Sequence, residues 1–171
     1  TIGRHAFAGC SELKTVTIGE GLTTFGDTAF YDCKALKSIE VDENNAYYSS
    51  VDGVLFNKDK TELIYYPLGK TETSYTVPDS VTKIGEGAFI NCTALTSVTI
   101  GKGVTEIDDY AFDGCNNLSI VNVPCDWDTE KPLYAFDENV NVDVADHKEI
   151  IYVDNNDGTH TAKYSCCGTV I

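Results

Sequence analysis

The chain has 171 residues, 42% of them hydrophobic and 23% charged, which is an ordinary globular composition. Twelve Lys and Arg against 27 Asp and Glu leave a formal charge of −15. That argues against a cationic surface for phosphate or anionic lipid, so no nucleic-acid partner is expected. No apolar run approaches the ~18 residues of a transmembrane helix, so no direct membrane insertion is expected. No charged start followed by an apolar stretch marks a signal peptide.

From the N-terminus, four segments repeat: Phe7-Ala8-Gly9-Cys10, Phe30-Tyr31-Asp32-Cys33, Phe89-Ile90-Asn91-Cys92 and Phe112-Asp113-Gly114-Cys115. Cys10 to Cys33 is a step of 23 residues, and Cys92 to Cys115 is 23 again. Ala6, Ala29, Ala88 and Ala111 precede the Phe, and Ile2, Phe25, Ile84 and Ile107 lie five residues before it. Downstream come Leu13, Leu36, Leu95 and Leu118, then Val16, Ile39, Val98 and Val121, then Ile18, Val41, Ile100 and Val123. The Leu-x-x-Val-x-Ile stretch ends in the period-2 alternation of a half-buried strand, and a Gly-rich turn breaks it. The chain returns through Val-x-x-Ile-Gly and a short Ala-Phe-x-x-Cys turn, climbing one rung. No single rung can bury its apolar edge, so stability must come from stacked neighbours. Thr1-Ile2-Gly3 aligns with Lys83-Ile84-Gly85, so the chain starts in mid-unit, as a piece of a longer array would.

Between Cys33 and Cys92 the step is 59 residues. The excess, about 44–74, holds Asp52-Gly53-Val54-Leu55-Phe56, a polar Asn57-Lys58-Asp59-Lys60 turn and Leu63-Ile64-Tyr65-Tyr66-Pro67, which predict a two-stranded hairpin. Its second strand is a candidate extra rung before Tyr75-Thr76-Val77-Pro78 resumes the pattern.

The repeat unit resembles the BspA-type (Treponema-type) leucine-rich repeat, and the Asp-Gly-Val-Leu-Phe…Leu-Ile-Tyr-Tyr-Pro insertion resembles one that recurs in that family. The match covers roughly residues 1–124. The resemblance implies a curved leucine-rich-repeat solenoid of the α/β class, β-dominated, with a parallel sheet on its concave face and little regular helix. It also implies a secreted or cell-surface protein of oral or gut bacteria, related to adhesins that bind host matrix proteins or other cells.

The regular spacing of Cys10, Cys33, Cys92 and Cys115 places them in a ladder of structural thiols, with disulfides between rungs as the alternative. Phe7, Phe30, Phe89 and Phe112 are expected to stack likewise, each Phe→Ala change costing roughly 3–5 kcal/mol. Side chains alternating with the core positions should face outward: Thr15, Thr17, Ser38, Glu40, Thr76, Ser97, Thr99, Ile120 and Asn122. That polar face is the first candidate for binding a protein or glycan, the alternative being plain solvated sheet. The insertion is richer in aromatic anchors (Tyr47, Tyr48, Phe56, Tyr65, Tyr66). Some of these must be core, and the rest, Tyr47 and Tyr48 above all, form a second candidate contact site.

The end of the chain differs in kind. Residues 125–171 carry ten acidic and three basic groups against five and four in residues 1–41, which suggests a boundary near Pro124. Trp127, Leu133, Tyr134, Phe136, Val140, Val142 and Val144 predict a final rung that caps the core over 125–145. Residues 146–171 resemble a small C-terminal module of bacterial surface proteins in which Asp-Gly-Thr-His-Thr leads into Cys-x-x-Cys-Gly. Here Tyr164 stands at the first Cys position, Cys167 matches the second, and Cys166 is an extra neighbour. His147, His160, Cys166 and Cys167 supply the four ligands of a zinc site, but adjacent Cys residues chelate one ion awkwardly. A plain hairpin turning at Asn155-Asn156-Asp157-Gly158 is the simpler expectation. Asp154–Asp157 is out of step with a calcium-binding EF-hand loop. No Gly-x-Ser-x-Gly, phosphate loop or His-Glu-x-x-His is present. Neither catalysis nor a cofactor is therefore expected. The expected protein is a recognition module or, alternatively, a spacer or a metal-binding terminal module.

Overall fold

A computed structural model describes residues 1–124, Phe136 and Val140, together with the backbone of strands 141–144, 150–154 and 160–164. Cys125, Trp127, Leu133, Tyr134, His147, Cys166 and Cys167 lie outside the described residues.

Each 23-residue unit contributes a strand from its Leu-x-x-Val-x-Ile stretch and, where the return leg is regular enough, a second short strand at Val-x-x-Ile. On the first side, β1 (Thr15–Ile18) pairs in parallel with β2 (Ser38–Val41), and repeat positions meet as Val16↔Ile39 and Ile18↔Val41. Further along, β6 (Ser74–Thr76), β8 (Ser97–Thr99), β10 (Ile120–Val123) and β11 (Asn141–Val144) form a four-stranded parallel sheet. Tyr75, Val98, Val121 and Val142 share one register line across it. The return legs β7 (Lys83–Ile84) and β9 (Glu106–Ile107) pair on the second side, and Ile2 and Phe25 make the corresponding single bridge. The described residues contain no helix, and none is long and apolar enough to cross a membrane. At the far end, β12 (Ile150–Asp154) and β13 (His160–Tyr164) pair antiparallel.

The rungs are joined by three repeating devices. The first is the aromatic stack: Phe7 lies on Phe30 at 5.4 Å, Phe89 on Phe112 at 4.7 Å and 6° from parallel, and Phe112 on Phe136 at 4.7 Å. The second is the Cys ladder. The Cys33 thiol donates to the Phe7 carbonyl at 3.1 Å, and the Cys115 thiol to the Phe89 carbonyl at 2.9 Å. Cys10, Cys33, Cys92 and Cys115 are all free thiols, so no disulfide joins these rungs. Burial pushes the Cys33 and Cys92 thiols up, which keeps them protonated and unreactive at neutral pH. The third is a row of hydroxyls donating to the carbonyl one rung back: Thr82 to Thr61, Thr105 to Thr82, Thr96 to Thr73 and Ser119 to Thr96.

The turn around each Phe is left-handed twice. His5, Thr28, Gly87 and Tyr110 lie two residues before the Phe with φ of 55° to 62°, and Gly9, Asp32, Asn91 and Gly114 two residues after it with φ of 57° to 75°. Gly, Asn and Asp suit such a position, whereas Thr28 and Tyr110 adopt it against their intrinsic preference because the stack fixes the turn. Gly101 has a different reason: a Cβ there would lie 2.6 Å from the Val77 carbonyl oxygen and 2.7 Å from that of Pro78.

The insertion departs from the expected two-stranded hairpin by one strand. It is a three-stranded meander, in which β3 (Tyr48–Val51) pairs antiparallel with β4 (Val54–Asn57), and β4 with β5 (Glu62–Tyr65). β5 does serve as an extra rung, but on the second side, pairing in parallel with β7 through Leu63↔Ile84. Val54, Leu55 and Phe56 are all fully buried, with Leu55 in one core cluster and Val54 and Phe56 in the other. The insertion therefore divides the core and the first-side sheet, and β2 and β6 are not paired with each other.

The stack is divided there too, and two tyrosines bridge the gap. Tyr66, 23 residues before Phe89, takes the Phe position: its ring stacks on Phe89 at 5.2 Å, and its amide donates to the Ala88 carbonyl as the Phe89 amide does to Ala111. Tyr65 replaces the absent Cys, its hydroxyl donating to the Phe30 carbonyl at 3.0 Å. The expected uniform ladder is also corrected at the first described rung, where Phe7 is 40% exposed and Cys10 is exposed.

Two mutational contrasts follow. Phe89→Ala and Phe112→Ala should each cost roughly 3–5 kcal/mol in urea unfolding, and Phe7→Ala clearly less, because only buried volume leaves a cavity. Tyr65→Phe leaves the Phe30 carbonyl with the Cys33 amide alone and should cost about 0.5–1.5 kcal/mol, the net worth of one buried hydrogen bond. Tyr66→Phe removes a buried hydroxyl that has no hydrogen-bond partner among the described residues and should leave stability unchanged or higher.

Candidate functional site

The outward face of the first side carries the polar residues expected there. Thr15, Thr17, Glu40, Thr76 and Thr99 are exposed, while Ser38, Ser97 and Asn122 are half-buried. Several of these groups already bond one another. The Ser38 hydroxyl donates to the Glu40 carboxylate, and the Asn122 amide lies 3.5 Å from the Thr99 hydroxyl. Ile120 is the one large apolar side chain here, at 42% exposure. The face offers hydrogen bonding in rows one strand apart, divided where the insertion separates β2 from β6.

The aromatic residues of the insertion are parted by burial. Phe56, Tyr65 and Tyr66 are core; Tyr47 is 52% exposed and Tyr48 half-buried. Tyr48 works inward: its hydroxyl accepts the Phe25 amide at 2.9 Å and its ring meets Phe25 edge-on at 6.3 Å. Both tyrosines are held by Asn45, which sequence reasoning missed. Its side chain is fully buried, its Oδ1 accepts the Tyr47 and Tyr48 amides at 2.8 Å each, and its Nδ2 donates to the Gly19 and Leu22 carbonyls. One amide thus fixes the start of the insertion to the Gly turn of the first rung. Asn57 does the same for the turn after β4, its Oδ1 accepting the Thr61 and Glu62 amides and its Nδ2 donating to the Thr61 hydroxyl.

Where the insertion meets the second side, a cleft of about 270 Å³ opens between Phe25, Asp27, Tyr47, Tyr48, Asn57, Glu62 and Ile64. Glu62, Lys83 and Glu106 are register partners across β5, β7 and β9. Lys83 is committed to Glu106 at 3.0 Å and Asp108 at 2.9 Å. Burial raises the Glu62 carboxyl above the usual range; Lys83 opposes this, and Asp108, Asp27 and Glu106 reinforce it. The described residues contain no group of His, Cys, Asp and Glu able to hold a metal ion. Of the C-terminal zinc candidates, His160 is placed only by its backbone register opposite Asp154, and the other three lie outside the described residues.

Parallel strands stacked at 23-residue steps, on two sides of an apolar interior, define a β-solenoid of leucine-rich-repeat type. The family model described as "BspA type Leucine rich repeat region" matches residues 1–61 and 68–153 in six copies, and the chain belongs to that family. Among solved structures it is similar to a leucine-rich repeat protein from Eubacterium ventriosum (26% identity, TM-score 0.61, 83% of this chain and 45% of that one). The pneumococcal vaccine antigen PcpA (20% identity, TM-score 0.53, 78% and 51%) and a leucine-rich repeat protein from Bacteroides ovatus (22%, 0.52, 84% and 39%) share the fold. The chain spans about half or less of the length of each. No curated protein matches it.

Because the Glu62 carboxyl sits higher in the folded than in the unfolded chain, the folded state holds its proton longer and is penalised once it ionises. That penalty is present at neutral pH and vanishes where both states are protonated. Glu62→Gln should therefore be more stable than the parent at pH 7. The difference should close as pH falls through the carboxylate range, as measured by urea unfolding at a series of pH values.

Proposed function

We propose that the chain is a non-enzymatic recognition module of a secreted or surface-anchored bacterial protein, binding a protein or glycan partner. The observation that carries the reading is the row of exposed and half-buried polar side chains, unused by the core, that successive strands present in register: Thr15, Thr17, Ser38, Glu40, Thr76, Ser97, Thr99 and Asn122. Family membership supports it, since stacked repeats form extended surfaces suited to partners of large area. Tyr47 supplies the aromatic anchor that the polar face lacks, and Tyr48 fixes its setting. The domain limits that go with this reading are repeats over 1–124, a cap over 125–145 and a terminal hairpin module over 146–171.

The test is a binding screen of the purified chain against extracellular-matrix proteins and glycans, measured by surface plasmon resonance. Recognition requires a saturable partner whose affinity falls at least tenfold on Tyr47→Ala or on Thr76→Glu with Thr99→Glu, while unfolding is unchanged. A silent screen favours the spacer reading, in which the rungs only hold another part of a longer protein away from the cell.

A further inference from the structure

The cleft beside Tyr47 has a charge and shape of its own. Its two carboxylates, Asp27 and Glu62, have no ion pair or side-chain hydrogen-bond partner among the described residues, because Lys83 is taken up by Glu106 and Asp108. The four acids Asp27, Glu62, Glu106 and Asp108 around one lysine leave this part of the second side strongly negative. The remaining walls are aromatic and aliphatic: Phe25, Tyr47, Tyr48 and Ile64. The Asn57 amide is spent on its own turn, and the Tyr48 hydroxyl accepts the Phe25 amide.

Such a lining does not suit a hard metal ion, which needs six or more oxygen ligands for calcium. It suits an organic cation with a flat apolar surface. A guanidinium can lie against the exposed ring of Tyr47 while its N–H groups reach both carboxylates, and it loses less hydration than an ammonium on entering. The volume, about 270 Å³, falls just below the roughly 300–1,000 Å³ of small-molecule sites and fits one long side chain. We propose that this cleft binds an arginine side chain presented by a protein partner, between the Asp27 and Glu62 carboxylates and against Tyr47. The site is built before the ligand arrives: buried Asn45 holds the Tyr47 and Tyr48 backbone, and Asn57 holds the Glu62 amide. The inference rests on the reading of the chain as a recognition module and names one contact within it.

The experiment titrates the isotope-labelled chain at pH 7 with N-acetyl-arginine methylamide, followed by amide shifts in the NMR spectrum. The lysine and citrulline counterparts are run beside it. Saturable shifts at Asp27, Tyr48 and Glu62 are expected with arginine, several-fold weaker binding with lysine, and none with uncharged citrulline. The double variant Asp27→Asn/Glu62→Gln, with its spectrum otherwise preserved, should weaken arginine binding at least tenfold, and Tyr47→Ala should weaken it several-fold. Absence of saturable shifts, citrulline binding equal to arginine, or a double variant that binds as the parent does would overturn the site; lysine binding as tightly as arginine would overturn the guanidinium assignment. The two proposals fail separately. A matrix protein or glycan that binds the double variant unchanged, with a silent arginine titration, sinks the cleft and keeps recognition. A saturable arginine titration alongside an empty partner screen keeps the cleft and sinks the Ser/Thr face.

Discussion

Everything in this molecule depends on the stacking of one rung on the next at a fixed step. A rung of about 23 residues is too short to enclose its own apolar side chains, and its backbone groups point along the solenoid rather than back into the rung. The parallel strand pairs, the stacked Phe rings, the thiols donating to Phe carbonyls and the Thr hydroxyls donating one rung back are four answers to that constraint. Each acts between neighbours, so the cost of a defect is local.

The insertion shows how such an array tolerates an interruption. Three antiparallel strands enter between two rungs, and β4 is buried on both sides because it separates two halves of the core. Continuity is restored by substitution of role. The Tyr66 ring takes the Phe position and the Tyr65 hydroxyl takes over the donor function of Cys. Asn45 ties the start of the meander to the Gly turn of the first rung, and Asn57 closes the turn between β4 and β5. A hydroxyl on a long arm can reach a carbonyl that a short thiol on a displaced backbone cannot. The device also creates a cleft that breaks the repeat, since Tyr47 and Glu62 come to lie beside Asp27 of a rung from which they are far apart in sequence.

The repeat period, the inward Val, Ile and Leu positions, the Phe and Cys ladders and the outward Ser/Thr row were legible in the residues, because each repeats at one step and alternation assigns its side. Asn45, Tyr65 and the Thr61-Thr82-Thr105 hydroxyl row were not read. The Thr row carried a signal, a hydroxyl residue recurring at 21 and then 23 residues. Asn45 and Tyr65 carried none, since each occurs once and its partner lies 23 to 35 residues away. Thr28 and Tyr110 conceal their left-handed backbone because neither residue type suggests it.

The sequence by itself determined the solenoid, its register and the side of the sheet each strand residue occupies, since a period repeated four times leaves one way to stack apolar edges. Only the tertiary structure decided where the insertion sits, which tyrosines are core and which one is presented, and that Asp27 and Glu62 share a cleft. The physical reason is that repeated contacts are fixed by the chain's own period, whereas the contacts of a unique segment depend on how it folds back across an interrupted core.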